Sequence, residues 1–221
     1  MLLDTKYQLD IFSQEEISWL DNAITSRVDC TPDRKSADHP TQPNLLYSNH
    51  YIWDYHSTEN KDIFEILNKK IEQVTGLKSH VTQSYILESF FPFEIHTDLI
   101  HSAMGSTLAD NKEPAYTILV PLDDYDTHTV VFNEYSENSC ELAEFKENYT
   151  GELKLRIPKE LVLTLTHVHP KDLMYLTLQD VYQWQKGSVI AFDRGHYHCS
   201  DNYIKAGVAS KRAILLQTEK P

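Results

Sequence analysis

The sequence predicts a mainly β fold with flanking helices: a sandwich or barrel core buttressed by helices on its N-terminal side. Three observations carry this. Two segments with helical periodicity fall within the first 76 residues. From about residue 77 the pattern changes to short runs rich in β-branched and aromatic residues, broken by turn signals. No internal repeat is present, and 6 Gly and 9 Pro are too few for low complexity. Helices first and strands afterwards is an α+β order.

The elements follow in turn. KYQLDIF (6–12) reads as a first strand. In SQEEISWLDNAITSRV, Ser13 and Glu16 form a capping box, and Ile17, Leu20 and Ile24 recur at helical spacing. Residues 29–49 carry Pro32, Pro40 and Pro43 and read as a long loop, a candidate binding rim. HYIWDYH (50–56) reads as a strand. KDIFEILNKKIEQVTG places Ile63, Ile66, Leu67, Ile71 and Val74 on one stripe, with Gly76 as the stop. Strands are expected at 77–91, 93–100, 115–121, 128–133, 188–193, 196–199 and 212–218. Between them, 136–186 reads as a mixed insertion, with short helices starting near Pro158 and Pro170. The expected organisation is one domain, 1–221: helical support over 1–76, a β core over about 77–218 and the insertion.

Composition narrows the function. The chain has 221 residues, 41% hydrophobic and 11% aromatic, enough for a real core. Its formal charge is -13, from 33 acidic and 20 basic residues, which repels phosphate backbones and makes nucleic acid a poor partner. Cys30, Cys140 and Cys199 are an odd, widely spaced set without CxxC, so a disulfide framework or a Cys-based zinc site is not indicated, and a reducing cytoplasm fits. MLLDTKYQLD lacks the charge and apolar run of a signal peptide. No run approaches 18 apolar residues, so no membrane span is expected.

The chemistry-bearing stretch is SYILESFFPFEIHTDLIHS. On a strand, His96 and Asp98 share a face because side chains alternate. Later, GSVIAFDRGHYHCSDNYIKAGVASKRAILLQT brings His196 and His198 after an apolar strand, then Lys211 and Arg212 on a last strand. Two histidines and one carboxylate make a facial triad that suits non-haem Fe(II) and leaves positions open. A nearby cation can pair with a distal carboxylate of a cosubstrate.

In this order, HxD…H…R/K, the sequence resembles the Fe(II)/2-oxoglutarate-dependent oxygenases, from roughly Val81 to Thr218. The resemblance implies a double-stranded β-helix (jelly-roll, cupin-like) core. It implies Fe(II) held by His96, Asp98 and one late histidine, 2-oxoglutarate as cosubstrate, and dioxygen. His198 is the expected ligand, followed by CSDN as the family often has a small residue there; His196 is the alternative. Arg212 and Lys211 lie on opposite strand faces, so one points inward to anchor 2-oxoglutarate. Arg212 is expected, as the commoner family choice, with Lys211 as the alternative. Tyr85, on the strand before the motif, is a candidate cosubstrate hydrogen-bond donor or a core tyrosine. The implied reaction turns 2-oxoglutarate into succinate and carbon dioxide and usually hydroxylates a C–H bond.

Competing readings are bland or incomplete. Thr117 and Thr129 are ordinary β-formers. His101 and the run Asp123, Asp124, Asp126 read as solvated loop. THVHP (166–170) is a second HxH, read as a turn. A cupin-type metal protein would use His196 and His198 as its pair, but no histidine follows His198. A catalytically inactive β-barrel binding module would not need the intact motif. For the substrate, loops 29–49 and 101–114 with the insertion could form a lid. Tyr47, Tyr51, Trp53, Tyr149, Tyr175, Tyr182 and Trp184 there suit a small molecule or a peptide, with prolyl-hydroxylase-like chemistry an analogy of fold alone.

Overall fold

The computed structural model describes residues 3–34, 45–76, 78, 80–99, 114–137 and 142–220. The middle of the 29–49 loop, the 101–113 stretch with His101, and Cys140 lie outside them.

Two antiparallel sheets face each other, with helices packed outside the larger one. The strands are β1 (Lys6–Gln8), β2 (Cys30–Arg34), β3 (Leu46–Ile52), β4 (His80–Ser89), β5 (Pro114–Pro121), β6 (His128–Tyr135), β7 (Leu178–Gln183), β8 (Val189–Asp193), β9 (His196–Ser200) and β10 (Lys211–Glu219). The larger sheet runs β1-β8-β5-β10-β4-β3-β2; the smaller runs β7-β6-β9. This is the jelly-roll core that the resemblance implies, with the N-terminal helical support that the sequence pattern predicts.

The helices form as their patterns dictate. In α1 (Gln14–Arg27) the Ser13 hydroxyl accepts from the Glu16 N–H, and the Glu16 carboxylate accepts from the Ser13 N–H at 2.8 Å. Its stripe Ile17, Leu20, Ala23 and Ile24 is buried. In α2 (Lys61–Thr75), Ile63, Leu67 and Ile71 are buried. Each such side chain contributes about 1.5–3 kcal/mol. Both stripes join Trp53, Ile86, Ile118 and Ile214 in a core under the outer face of the larger sheet. Lys70 of α2 pairs with Glu16 of α1, and Arg27 grips Asp62, fixing the helices to each other.

A second core, between the sheets, includes Tyr85, Leu87, Leu119, Trp184 and Phe192. A third covers the smaller sheet from outside. It uses Leu142 of α3 (Leu142–Glu147), Leu161 and Val162 of α4 (Lys159–Val162), and Leu173 of a 3-10 turn. The expected helix starts near Pro158 and Pro170 thus become α4 and that turn.

Five expectations change, the first being the strand read at 50–56, which spans Leu46–Ile52. Only Lys6–Gln8 of 6–12 is strand. Within the expected loop, β2 pairs with β3 as an edge strand of five exposed residues, one of them Pro32; edge strands tolerate proline, and no apolar alternation announces it. Within the expected insertion, β7 pairs with β6, and its half-polar LQDVYQ hides the period. Residues 93–99 are no strand. Pro92 breaks β4, and the segment touches a ladder at one bridge, His96 with His198.

The turn into β8 depends on one glycine. Gly187 has φ of 77°, and a Cβ there would meet the Phe12 carbonyl oxygen at 2.4 Å. Its own carbonyl accepts from the Phe12 N–H at 3.0 Å, so the backbone approach cannot relax cheaply. Gly187→Ala therefore carries left-handed strain of about 1–3 kcal/mol plus the clash. A loss of ~5 °C or more in Tm by thermal denaturation is expected, given roughly 2–4 °C per kcal/mol at this size.

Candidate active site

The segment that follows β4 meets the smaller sheet at the His96–His198 bridge. The His96 N–H donates to the His198 carbonyl (3.1 Å), and the His198 N–H donates to the His96 carbonyl (2.9 Å). Opposed residues of such a pair project to one side, and the two rings lie 4.3 Å apart. Two residues on, the Asp98 N–H donates to the Arg194 carbonyl at 2.9 Å. Arg194 returns the grip, as its Nε and Nη2 donate to the Asp98 carbonyl at 2.9 and 2.7 Å. His96 and Asp98 thus point the same way, held by main-chain bonds to β9 and its approach rather than by a strand of their own.

The side chains close into a compact donor set. One ligand atom from each of His96, Asp98 and His198 lies within 4.8 Å of the others. His198 Nε2 is 3.4 Å from Asp98 Oδ2, and His96 Nε2 is 3.8 Å from Asp98 Oδ1. The Thr117 hydroxyl donates to Asp98 Oδ2 at 2.6 Å, fixing the carboxylate plane. Each histidine sets its Nδ1 against a carbonyl: His96 with Glu94 (2.7 Å), His198 with His196 (3.0 Å). A carbonyl only accepts, so Nδ1 carries the proton and Nε2 keeps the lone pair that a metal takes. Burial, helped by neighbouring His96, pushes the His198 imidazole down to about 4, so it stays neutral beside Asp98. Two imidazoles and one carboxylate on a single side fit a divalent iron.

These groups line a cavity of about 240 Å³ between the sheets. At one end lies Lys211, 2% exposed, whose Nζ sits 4.0 Å over the Trp184 ring and 4.9 Å over that of Tyr203. Its one hydrogen bond among the described residues is a long 3.4 Å contact to the Thr127 hydroxyl. Burial pushes its ammonium down to about 8, opposed by the charge of Asp201. Tyr85, Thr117 and Thr129 also line the cavity; Thr129 accepts from the Trp184 indole at 2.9 Å. Burial raises the Tyr85 hydroxyl, so it keeps its proton. At the other end the cavity meets a cleft of about 790 Å³, with Asp33, Phe93 and His96 lining both.

Arg212 is not in this cavity, which corrects the expected inward choice. It lies on the outer face, where Nη1 and Nη2 bond Asp21 of α1 at 2.9 and 2.7 Å. The reason is register: Lys211 is paired with Ser89, whose face lines the cavity, so the next residue must turn toward α1. His196, the alternative ligand, bonds its Nδ1 to the Phe132 carbonyl (2.8 Å) and packs on Tyr135, outside the donor set, so the cupin pair is not assembled. THVHP is a turn in which His167 bonds the Phe93 carbonyl. Of the expected lid aromatics, Trp184 reaches the cavity and Tyr47 the cleft, whereas Trp53 is buried in the core under the helices. Thr117 and Arg194 were not singled out as site residues, and no spacing rule marks either. Among the described residues, no helix is long and apolar enough to cross a membrane.

The fold is the double-stranded β-helix seen in the 2-oxoglutarate/Fe(II) oxygenases. The chain superposes on HygX from Streptomyces hygroscopicus with nickel and 2-oxoglutarate bound, at TM-score 0.55 and 15% identity, over 99% of this chain and 84% of that one. The epimerase SnoN from nogalamycin biosynthesis matches at TM-score 0.58 and 10% identity, over 98% and 78%. A 2OG-Fe(II) oxygenase family oxidoreductase from Burkholderia pseudomallei matches at 0.51 and 12%, over 98% and 84%. No protein-family model matches the sequence, and no curated protein matches it.

Proposed function

We propose that this chain is a non-haem Fe(II)- and 2-oxoglutarate-dependent dioxygenase that hydroxylates a C–H bond of a small molecule. One observation carries the reading: a His-Asp-His donor set on the wall of a cavity whose far end holds a buried lysine. His96, Asp98 and His198 are the iron ligands. Bound iron supplies the oxidation in which 2-oxoglutarate, dioxygen and R–H become succinate, carbon dioxide and R–OH.

The chain's own residues do the rest. Lys211 pairs with the far carboxylate of 2-oxoglutarate, in a slot where Trp184 and Tyr203 exclude water and strengthen the pairing. The Tyr85 hydroxyl, kept protonated, is a donor toward the cosubstrate. Thr117 orients the Asp98 carboxylate, and Arg194 holds the backbone that carries it. HygX with nickel, 2-oxoglutarate and hygromycin B bound, and SnoN with Fe3+, alpha ketoglutarate and nogalamycin RO, support a small-molecule substrate over a peptide. The 221 residues read as one domain, supported by β1 pairing with β8. The free Cys30 and Cys199 suit a cytoplasmic setting.

The test is anaerobic. Adding Fe(II) and then 2-oxoglutarate to wild type is expected to raise the weak visible charge-transfer band of the chelate, and His96→Ala to lose it. A folded wild type that binds neither overturns the proposal.

A further inference from the structure

The polar residues on the inner face of the larger sheet fall in one row. Asp33 of β2 is opposite Ser48 of β3, Ser48 is opposite Ser89 of β4, and Ser89 is opposite Lys211 of β10. Opposed residues in antiparallel ladders share a face, so the row crosses four strands from a buried ammonium to an exposed carboxylate at the cavity mouth. The Ser48 hydroxyl donates to Asp33 Oδ2 at 3.3 Å and lies 3.0 Å from His50 Nε2. Ser89, 1% exposed, lines the cavity, and its hydroxyl has no hydrogen-bond partner among the described residues. A buried hydroxyl left unpaired is costly unless a ligand meets it.

Charge sorts the two ends. The cosubstrate is a dianion and belongs at Lys211. The mouth has the opposite sign. Among the described residues, Asp33 is the carboxylate shared by cavity and cleft, and Glu94 stands on the same cleft. Of the cations there, Lys146 is bonded to Asp172 at 2.7 Å, and Arg34 already has a partner. Between the ends the walls are Leu87, Phe93 and Trp184. An ionised carboxylate only accepts, so it selects a donor, most strongly a cationic one.

Building on the oxygenase reading, we infer that the mouth end of this cavity seats the primary substrate, a small molecule with a protonated amine on an apolar or aromatic body. Asp33 determines that specificity. Ser48 positions its carboxylate, and the Ser89 hydroxyl is free for a polar group of the ligand. Opposite charges at the two ends keep the acid and the amine from exchanging seats.

The probe pair is benzylamine and benzyl alcohol, alike in shape and differing in charge at pH 7. Each is titrated by calorimetry into protein loaded with Ni(II) and 2-oxoglutarate, so that no turnover occurs. Wild type is expected to bind the amine ~10-fold or more tightly than the alcohol, through a charge-assisted bond. Asp33→Asn, at an exposed edge strand, is expected to fold, to bind 2-oxoglutarate as before, and to lose the preference. Equal binding of the two probes by wild type, or an unchanged preference in Asp33→Asn, overturns the inference. Failure of wild type to bind 2-oxoglutarate at the loading step instead sinks the oxygenase reading, and this inference with it.

Discussion

Lys211→Ala is expected to weaken 2-oxoglutarate by roughly 30-fold to several thousand-fold. The range follows from the 2–5 kcal/mol cost of leaving one buried charge of a pair unpaired, at 1.4 kcal/mol per decade. Fe(II) affinity should change little, because the ligand set does not include this residue. Lys211→Arg should not restore binding, because the larger fork must fit a slot where Trp184 lies only 4.0 Å from Nζ. Arg212→Ala is the contrasting control. Its guanidinium serves Asp21 on the outer face, so that variant should lose a few degrees of Tm and keep its 2-oxoglutarate affinity within a few-fold. Measured dissociation constants for the three variants decide the matter. If Arg212→Ala were the one that lost cosubstrate, the anchor assignment would be wrong.

Asp98→Ala is expected to cost more than ~100-fold in Fe(II) affinity, since even outer-sphere partners of metal ligands are worth about 10–100-fold. It should nonetheless fold. The structural work at this position is done by the main chain: the Asp98 carbonyl accepts two bonds from Arg194, and its N–H donates to the Arg194 carbonyl. The variant's side-chain losses include the bond from Thr117 and the carboxylate of the donor set. Anaerobic calorimetry with Fe(II), beside far-UV circular dichroism, separates the two effects. Near wild-type iron affinity in a folded Asp98→Ala protein would remove Asp98 from the triad.

Much of this was legible in the sequence because it rests on local rules. The capping box at Ser13, the stripe of α2 and the Gly76 stop are each set by neighbours a few residues away. The HxD motif was legible too, though for a different reason from the one that operates. The segment is no strand; one bridge and the Arg194 grip point His96 and Asp98 together. What the sequence hid is decided at long range. In KRAILLQT the apolar run after Arg212 marks neither face, so the inward residue is set by register against β4 and by Asp21 on α1. β2 and β7 carry too few apolar residues for their period to show. Thr117 and Arg194 look like an ordinary strand former and a loop charge until the fold brings each to Asp98.

The position of β10 has a consequence for how the molecule is made. It comes last in chain order among the described strands, yet it stands at the centre of the larger sheet, between β5 and β4. Neither neighbour has its central partner until residues 211–219 are free to pair, after every other described strand has been made. Through that interval the apolar edges of β4 and β5 lie open, and such edges are what holding chaperones bind and what nascent chains aggregate through. The cavity between the sheets can close only once β10 docks between β5 and β4.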